Sequence, residues 1–243
     1  MGNEEQTPLL EFRDVRTYYG RIEILKKVNY RVNEGEIVCL LGGNASGKST
    51  TMKTVLGIVK PTSGEVLWDG KVINNLRTSE RIKLGVATVP ENRRLFPHLT
   101  VLENLQMGAY TRNDSAEIRE DLDKVFELFP RVHERQSQRA GTLSGGEQQM
   151  VAFGRALMSR PRLIIMDEPS MGLSPALVDQ SFKTIASINE QGVSVFIVEQ
   201  NATAALSIAD RGYVLQNGEV VIDAIAADLL ENEELQRAYL GGA

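Results

Sequence analysis

The segment that most narrows what this chain can fold into is "EIVCLLGGNASGKST", residues 36–50. Ile37 to Leu41 form an apolar run with no polar break, which suits a strand buried on both faces of a parallel sheet. Three glycines, Gly42, Gly43 and Gly47, then mark a turn in which side chains would obstruct the backbone. A helix-like pattern opens at Lys48. Strand, glycine turn and helix in that order, with Gly42-x-x-x-x-Gly47-Lys48-Ser49, give both the pattern and the placement of a P-loop. In such a loop the backbone N–H groups of Gly42, Gly43, Asn44, Ala45, Ser46, Gly47, Lys48, Ser49 and Thr50 face phosphate oxygens. Lys48 supplies positive charge for the β and γ phosphates, and the Ser49 hydroxyl is a candidate magnesium ligand. The competing reading is a plain glycine-rich strand-to-helix turn.

Other strand-like runs are "RLIIMDE" (162–168), "VSVFIVE" (193–199) and "GYVLQNGEVV" (212–221), with helical patterns between them. That alternation is the signature of the α/β class. The first third differs: "LLEFRDVRTYYG", "KVNYRVNEG" and "GEVLWDGKVI" have period-two patterns closed by turn residues, as antiparallel strands with one wet face do. Residues 92–142 read as mostly helical. Thr100 with Glu103 and Asp114 with Glu117 both have capping spacing. The expectation is an α/β P-loop core with a mainly parallel sheet, an N-terminal antiparallel β lobe and an α-helical subdomain at about 92–142. All of it lies within one domain spanning 1–243. With 42% hydrophobic residues among 243, the chain can bury a substantial core.

A net charge of −5 argues against a broad basic surface for nucleic acid, and no nucleic-acid partner is expected. The single cysteine, Cys39, excludes an internal disulfide and a cysteine-built metal site. No stretch reaches the roughly 18 apolar residues of a membrane span. The start, "MGNEEQTPLL", lacks the form of a signal peptide, and Gln6 stands where myristoylation requires Ser or Thr. Membrane contact is therefore expected through partners, at the cytoplasmic face.

Downstream, four apolar residues of "LIIMDE" end in Asp167 and Glu168, at the strand end where α/β sheets place ligands. Asp167 is a candidate magnesium holder, and Glu168 a candidate general base for an attacking water. An acidic pair that merely closes a buried strand is the competing reading. In "LSGGEQQMVAFGRAL" (143–157), Ser144 and Glu147 have capping-box spacing. Gly145 and Gly146 in a first helical turn cost roughly 1 kcal/mol each and leave backbone N–H groups open to an anion.

With P-loop, "LSGGE" and "LIIMDE" in this order, the chain resembles the ATP-binding subunits of ABC transporters over nearly its whole length. The resemblance implies ATP and Mg2+ as cofactors and a second ATPase subunit, a paralogue or a second copy of this chain, closing head to tail. It places Tyr19, from "YYG", on adenine; the alternative is that it only covers the β lobe. It also places Ser144, Gly145, Gly146 and Glu147 toward the γ-phosphate held by the opposite subunit.

"VPENRRLFPHLTVLENL", residues 144–175, "IVEQN" and the ending "AYLG" are similar to the second, LivF-type ATPase of high-affinity branched-chain amino acid uptake systems. In that family, permease subunits carry the cargo, which never touches the ATPase. A permease helix would dock near Arg93, Arg94, Leu95 and Phe96, with ordinary core packing as the alternative for Leu95 and Phe96.

Four positions depart from the wider family. Glu91 stands for the usual glutamine and is a further candidate at the metal. Ala45 stands where glycine is commonest, so its backbone is expected to avoid positive φ unless strained. Ser174 replaces an aspartate and, before Pro175, is expected to cap a helix. Gln200 replaces a histidine; its amide can donate to a γ-phosphate oxygen and orient water but cannot carry a proton. Hydrolysis is expected to survive because Glu168 and Lys48 remain, with Gln200 as the third catalytic candidate. The alternatives are a nucleotide-dependent clamp with weak hydrolysis, or an ATPase serving another cargo such as urea, other amino acids or a lipid.

Overall fold

The computed structural model describes residues 7–231; the "AYLG" ending and the first six residues lie outside them. A four-stranded antiparallel sheet holds β1 (Leu10–Tyr19), β2 (Ile22–Val32), β4 (Ser63–Trp68) and β5 (Lys71–Val72) in the order β2-β1-β4-β5. A six-stranded sheet runs β10-β9-β3-β8-β7-β6. Its members are β3 (Ile37–Leu41), β6 (Val86–Val89), β7 (Leu163–Asp167), β8 (Ser194–Glu199), β9 (Arg211–Gln216) and β10 (Glu219–Ile225). All its pairings are parallel except β9 with β10. The helices are α1 (Lys48–Val55), α2 (Thr78–Lys83), α3 (Val101–Gly108), α4 (Ser115–Leu128), α5 (Pro130–Glu134), α6 (Gly145–Leu157), α7 (Pro175–Glu190), α8 (Ala202–Leu206) and α9 (Ala226–Glu231), with a 3-10 turn at Ala140–Thr142. This is the α/β class that the strand and helix patterns imply.

Why the central strands are apolar at every position is visible in how they divide two cores. Val38 and Leu40 of β3, Leu163 and Ile165 of β7, and Phe196 and Val198 of β8 face the antiparallel sheet and α1. Their neighbours Ile37, Cys39, Leu41, Ile164, Met166, Val195 and Ile197 face the helices on the other side. Each strand thus buries both of its period-two faces.

One strand-like run is corrected. Residues 212–221 are not one buried strand but parts of two, broken by a hairpin at Asn217 and Gly218, whose φ values are 49° and 83°. Asn-Gly with positive φ at both positions is the type I′ signal, and it outweighs the apolar content around it. The tip supports the P-loop: Gly218 N–H donates to Ser46 O at 2.9 Å, and Lys26 N–H donates to Gly218 O at 2.8 Å. The edge strand β6 is only four residues long, too short for its pattern to stand out in the sequence.

Thr100 caps α3 as its spacing predicts, with Glu103 returning a bond to the Thr100 N–H at 2.7 Å. Asp114 precedes α4 but does not cap it. Its carboxylate is taken by Arg112, which holds its pKa down at about 2. Behind the P-loop helix, the buried Arg81 guanidinium donates to the carbonyls of Thr54, Val55, Ile73 and Leu76. It thereby fixes the C-terminal end of α1, where a cation is favoured by the helix dipole.

Candidate active site

β3 delivers the chain into the glycine turn, and α1 leaves it. Gly42 has φ 157°, and a Cβ there would sit 2.3 Å from Leu215 O and 2.7 Å from Ser46 Oγ. Only glycine fits between the loop and β9. Gly47, the N-cap of α1, lies in the left-handed region with φ 113°, with no side-chain cap and no acid in the first turn. The first N–H groups of α1 are therefore left for an anion. Lys48 is 6% exposed; its Nζ donates to Gly42 O at 2.6 Å and Gly43 O at 3.1 Å and lies 3.8 Å from the Glu168 carboxylate. A buried ammonium needs such acceptors, and here the loop itself supplies them. Ser46 Oγ is buried without a hydrogen-bond partner, whereas Ser49 is exposed at the helix start. Ala45 takes the strained alternative: its φ is 61°, a left-handed conformation costing roughly 1 kcal/mol that the closed loop imposes.

The C-terminal end of β8 lies beside β3, and that of β7 lies one strand further along the sheet. Burial, reinforced by the charges of Glu91 and Glu168 and opposed by Lys48, pushes the Asp167 carboxyl up to about 6. Glu168 is also raised, by burial first; Lys48 opposes the shift, while Glu199 and Glu91 add to it. Its backbone is strained, with φ 45°, and its N–H donates to Val198 O at 2.8 Å. Asp167 thus stands among opposed charges, with Glu91 and Glu168 on one side of the balance and Lys48 and Lys53 on the other. Among the described residues no group of three or more His, Cys, Asp or Glu could hold a metal by itself. That suits Mg2+, which binds through one or two carboxylates plus substrate phosphates.

One residue in "IVEQN" does more than the sequence reading gave it. Glu199 is 1% exposed, and its carboxylate accepts from the backbone N–H groups of Ser170, Gln200 and Asn201 at 2.9, 2.9 and 3.0 Å. It ties the loop after Glu168 to the strand end that presents Gln200. An acid closing a fully apolar run was the available signal. Gln200 itself is exposed, and its side-chain amide bonds no other described residue.

The second helix start is built differently. Ser144 Oγ accepts from Glu147 N–H at 3.4 Å, Glu147 accepts from Ser144 N–H at 2.9 Å, and Arg135 pairs with Glu147 at 2.7 Å. A Cβ on Gly146 would lie 2.9 Å from Leu177 of α7, so glycine lets the two helices close together. Ser174 takes the N-cap position of α7 with Pro175 following, but its side chain makes no capping bond; only its carbonyl serves, accepting from Leu177 and Val178. No described hydrogen bond or ion pair joins residues 144–147 to residues 42–50. Tyr19 ends β1 with 44% of its surface exposed.

Between these parts runs a turn of three successive left-handed residues, Asn92, Arg93 and Arg94, with φ 58°, 62° and 42°. Arg155 of α6 donates to Arg93 O and Arg94 O, both at 2.8 Å. Arg93 does not face outward: its Nε donates to Gln149 Oε1 at 3.1 Å and its Nη2 to Met171 O at 3.4 Å. Leu95 packs on the core, while Phe96 stays 45% exposed beneath Arg155.

A glycine turn clasping the start of a helix, with paired carboxylates at the end of the strand two places along the same sheet, is the arrangement of a P-loop nucleoside triphosphatase. The chain matches the family described as ABC transporter over residues 25–171, and it belongs to that family. It is 49% identical to the high-affinity branched-chain amino acid transport ATP-binding protein BraG of Pseudomonas aeruginosa, covering 96% of this chain and all of the relative. It is 36% identical to the probable branched-chain amino acid transport ATP-binding protein LivF of Archaeoglobus fulgidus, over 92% of this chain and 94% of the relative. Its fold superposes with TM-score 0.77 and 29% identity on a dimeric ATP-binding cassette in a post-hydrolysis state bound to ADP and Pi, covering 89% of this chain and 98% of that one. Among the described residues no helix is long and apolar enough to cross a membrane.

Proposed function

We propose that this chain hydrolyses ATP as one half of a composite site and so drives membrane permeases that import branched-chain amino acids. The observation that carries the reading is the separation of two helix starts. The one at Lys48 is open and faces the acidic strand ends, while the one at Gly145 is closed by its own side chains and not bonded to the first. A second subunit, a paralogue or another copy, would bring its "LSGGE" start to the phosphates held here. The relatives named for branched-chain amino acid transport support the cargo, and their role supports a place at the cytoplasmic face of the membrane.

In this reading Tyr19 stacks on adenine, residues 42–50 enclose the phosphates, and Lys48 leaves its loop carbonyls to bond phosphate oxygens. Mg2+, held by Ser49 and Asp167 with Glu91 nearby, would neutralise and orient phosphate charge. Glu168, its carboxyl raised yet near an ammonium, accepts hydrogen bonds from the attacking water and orients it. Gln200 donates one amide N–H to the transferred phosphoryl group. A permease helix would lie in the groove of about 300 Å³ lined by Ile82, Pro90, Phe96, Met107, Tyr110 and Arg155. A nucleotide-dependent clamp with weak hydrolysis is favoured only by Gln200, which cannot carry a proton.

Steady-state hydrolysis by the purified chain, alone and with its co-purifying ATPase subunit, tests this. The expected result is magnesium-dependent activity that needs a second subunit and falls at least about a hundredfold in Glu168→Gln with nucleotide binding retained. Activity with the partner that survives in Glu168→Gln would assign cutting to the partner and leave this chain as the clamp.

A further inference from the structure

Three consecutive left-handed, non-glycine residues persist only where their surroundings over-determine them. Here two arginines do so. Arg155, half-buried and paired with no carboxylate among the described residues, holds the carbonyls of the turn. Arg93 holds the turn from the other side through its own side chain. Its two bonds reach different elements: Gln149, itself 6% exposed, lies on the first turns of α6, and Met171 lies in the loop that follows Glu168. The guanidinium also flanks the first residue of α6, since a Cβ on Gly145 would meet Arg93 Nη2 at 3.6 Å. Glu91 precedes the turn, and Phe96, at the groove, follows it.

We propose that Arg93 is a positioning residue for hydrolysis. It makes the segment carrying Glu91, the "LSGGE" helix start and the loop after Glu168 move as one body, so that a shift at Glu91 or Phe96 is delivered to the helix that faces the other subunit's nucleotide. This rests on the composite-site reading. It also separates two quantities. Nucleotide held by this chain's own P-loop does not depend on Arg93, whereas the turnover of the assembled pair does.

The test compares wild type, Arg93→Met, Arg93→Lys, Gln149→Leu and the Arg93→Met, Gln149→Leu double variant. MgATP affinity is read by fluorescent-nucleotide titration of the chain alone, and kcat and KM are read with the co-purifying ATPase subunit or, if the chain self-associates, with itself. The expected outcome is a fall of about tenfold in kcat for Arg93→Met, with affinity and KM within about twofold of wild type. Gln149→Leu should fall likewise, and the double variant should be no worse than the more affected single one. Arg93→Lys should not restore turnover, because an ammonium cannot span both acceptors. Unchanged kcat in Arg93→Met, parallel loss of affinity, or fully additive losses would overturn the role of Arg93 while leaving the composite site intact. If Arg93→Met does not fold, Gln149→Leu decides by the same criteria. Wild-type inactivity with every partner would sink the composite-site reading and this proposal with it.

Discussion

α1, capped by Gly47, and α6, opening on Gly145, both present backbone N–H groups beside glycines, yet their starts are chemical opposites. α1 has no side-chain cap, no acid in its first turn and a lysine as its first residue. α6 is closed by the Ser144–Glu147 capping box. An uncapped helix start has unmet hydrogen-bonding demand and a positive field, so it can bind an anion by itself. A capped one has already met much of that demand, and a carboxylate stands in its first turn. On the composite-site reading proposed above, the difference is that one start would hold phosphate and the other would meet phosphate that something else already holds.

The largest expected effect breaks the open start. Lys48→Ala removes its one buried cation and should weaken MgATP binding by about a hundredfold or more while leaving a cooperatively folded protein. Affinity within a few fold of wild type in a nucleotide titration would show that the backbone alone makes the site.

The acids facing that start sharpen the contrast. Asp167 titrates near 6 in the folded chain, above an ordinary aspartate near 3.8. Between about pH 4 and 6 the folded state therefore binds more protons than the unfolded one, and this group's contribution to nucleotide-free stability falls as pH rises through that window. Mg2+ competes with the same proton, so the magnesium-dependent part of nucleotide affinity should rise across it with a midpoint near pH 6. Glu91→Gln should move that midpoint down, because one repelling charge is gone. A midpoint that stays put in Glu91→Gln would remove Glu91 from the site.

The smallest effect opens the closed start. Ser144→Ala should cost about 1 kcal/mol, seen as a fall in Tm of about 2 to 4 °C by calorimetry, with MgATP affinity of the lone chain unchanged. Loss of that affinity would mean that α6 serves its own subunit's nucleotide.

Much of this was legible in the sequence because the signals are local. The P-loop, the acidic strand end and the two capping boxes at Thr100 and Ser144 each lie within a few residues, where spacing translates directly into geometry. What escaped depends on contacts distant along the chain. Ala45 adopts positive φ because a closed loop imposes it, and no property of alanine announces that. Ser174 and Asp114 take N-cap positions, yet their side chains do no capping, and for Asp114 a neighbouring arginine outcompetes the helix N–H groups. Arg93 bonds Gln149 and the Met171 carbonyl, and nothing in "ENRRLF" shows that either lies within reach. Asn217–Gly218 and Glu199 are local signals too, but both are masked by the apolar residues beside them.

The hairpin at Asn217–Gly218 also has a consequence in time. The loop at Gly42 to Ser46 is shaped by Leu215 and Gly218, roughly 170 residues later in the chain. At about 5 to 20 residues per second, a ribosome makes the phosphate-binding motif roughly 10 to 30 s before it makes the strands that give it form. During that interval the motif is present as sequence but not as a site. Nucleotide binding by a nascent chain therefore reports that synthesis has passed the hairpin, and with it nearly the whole cassette.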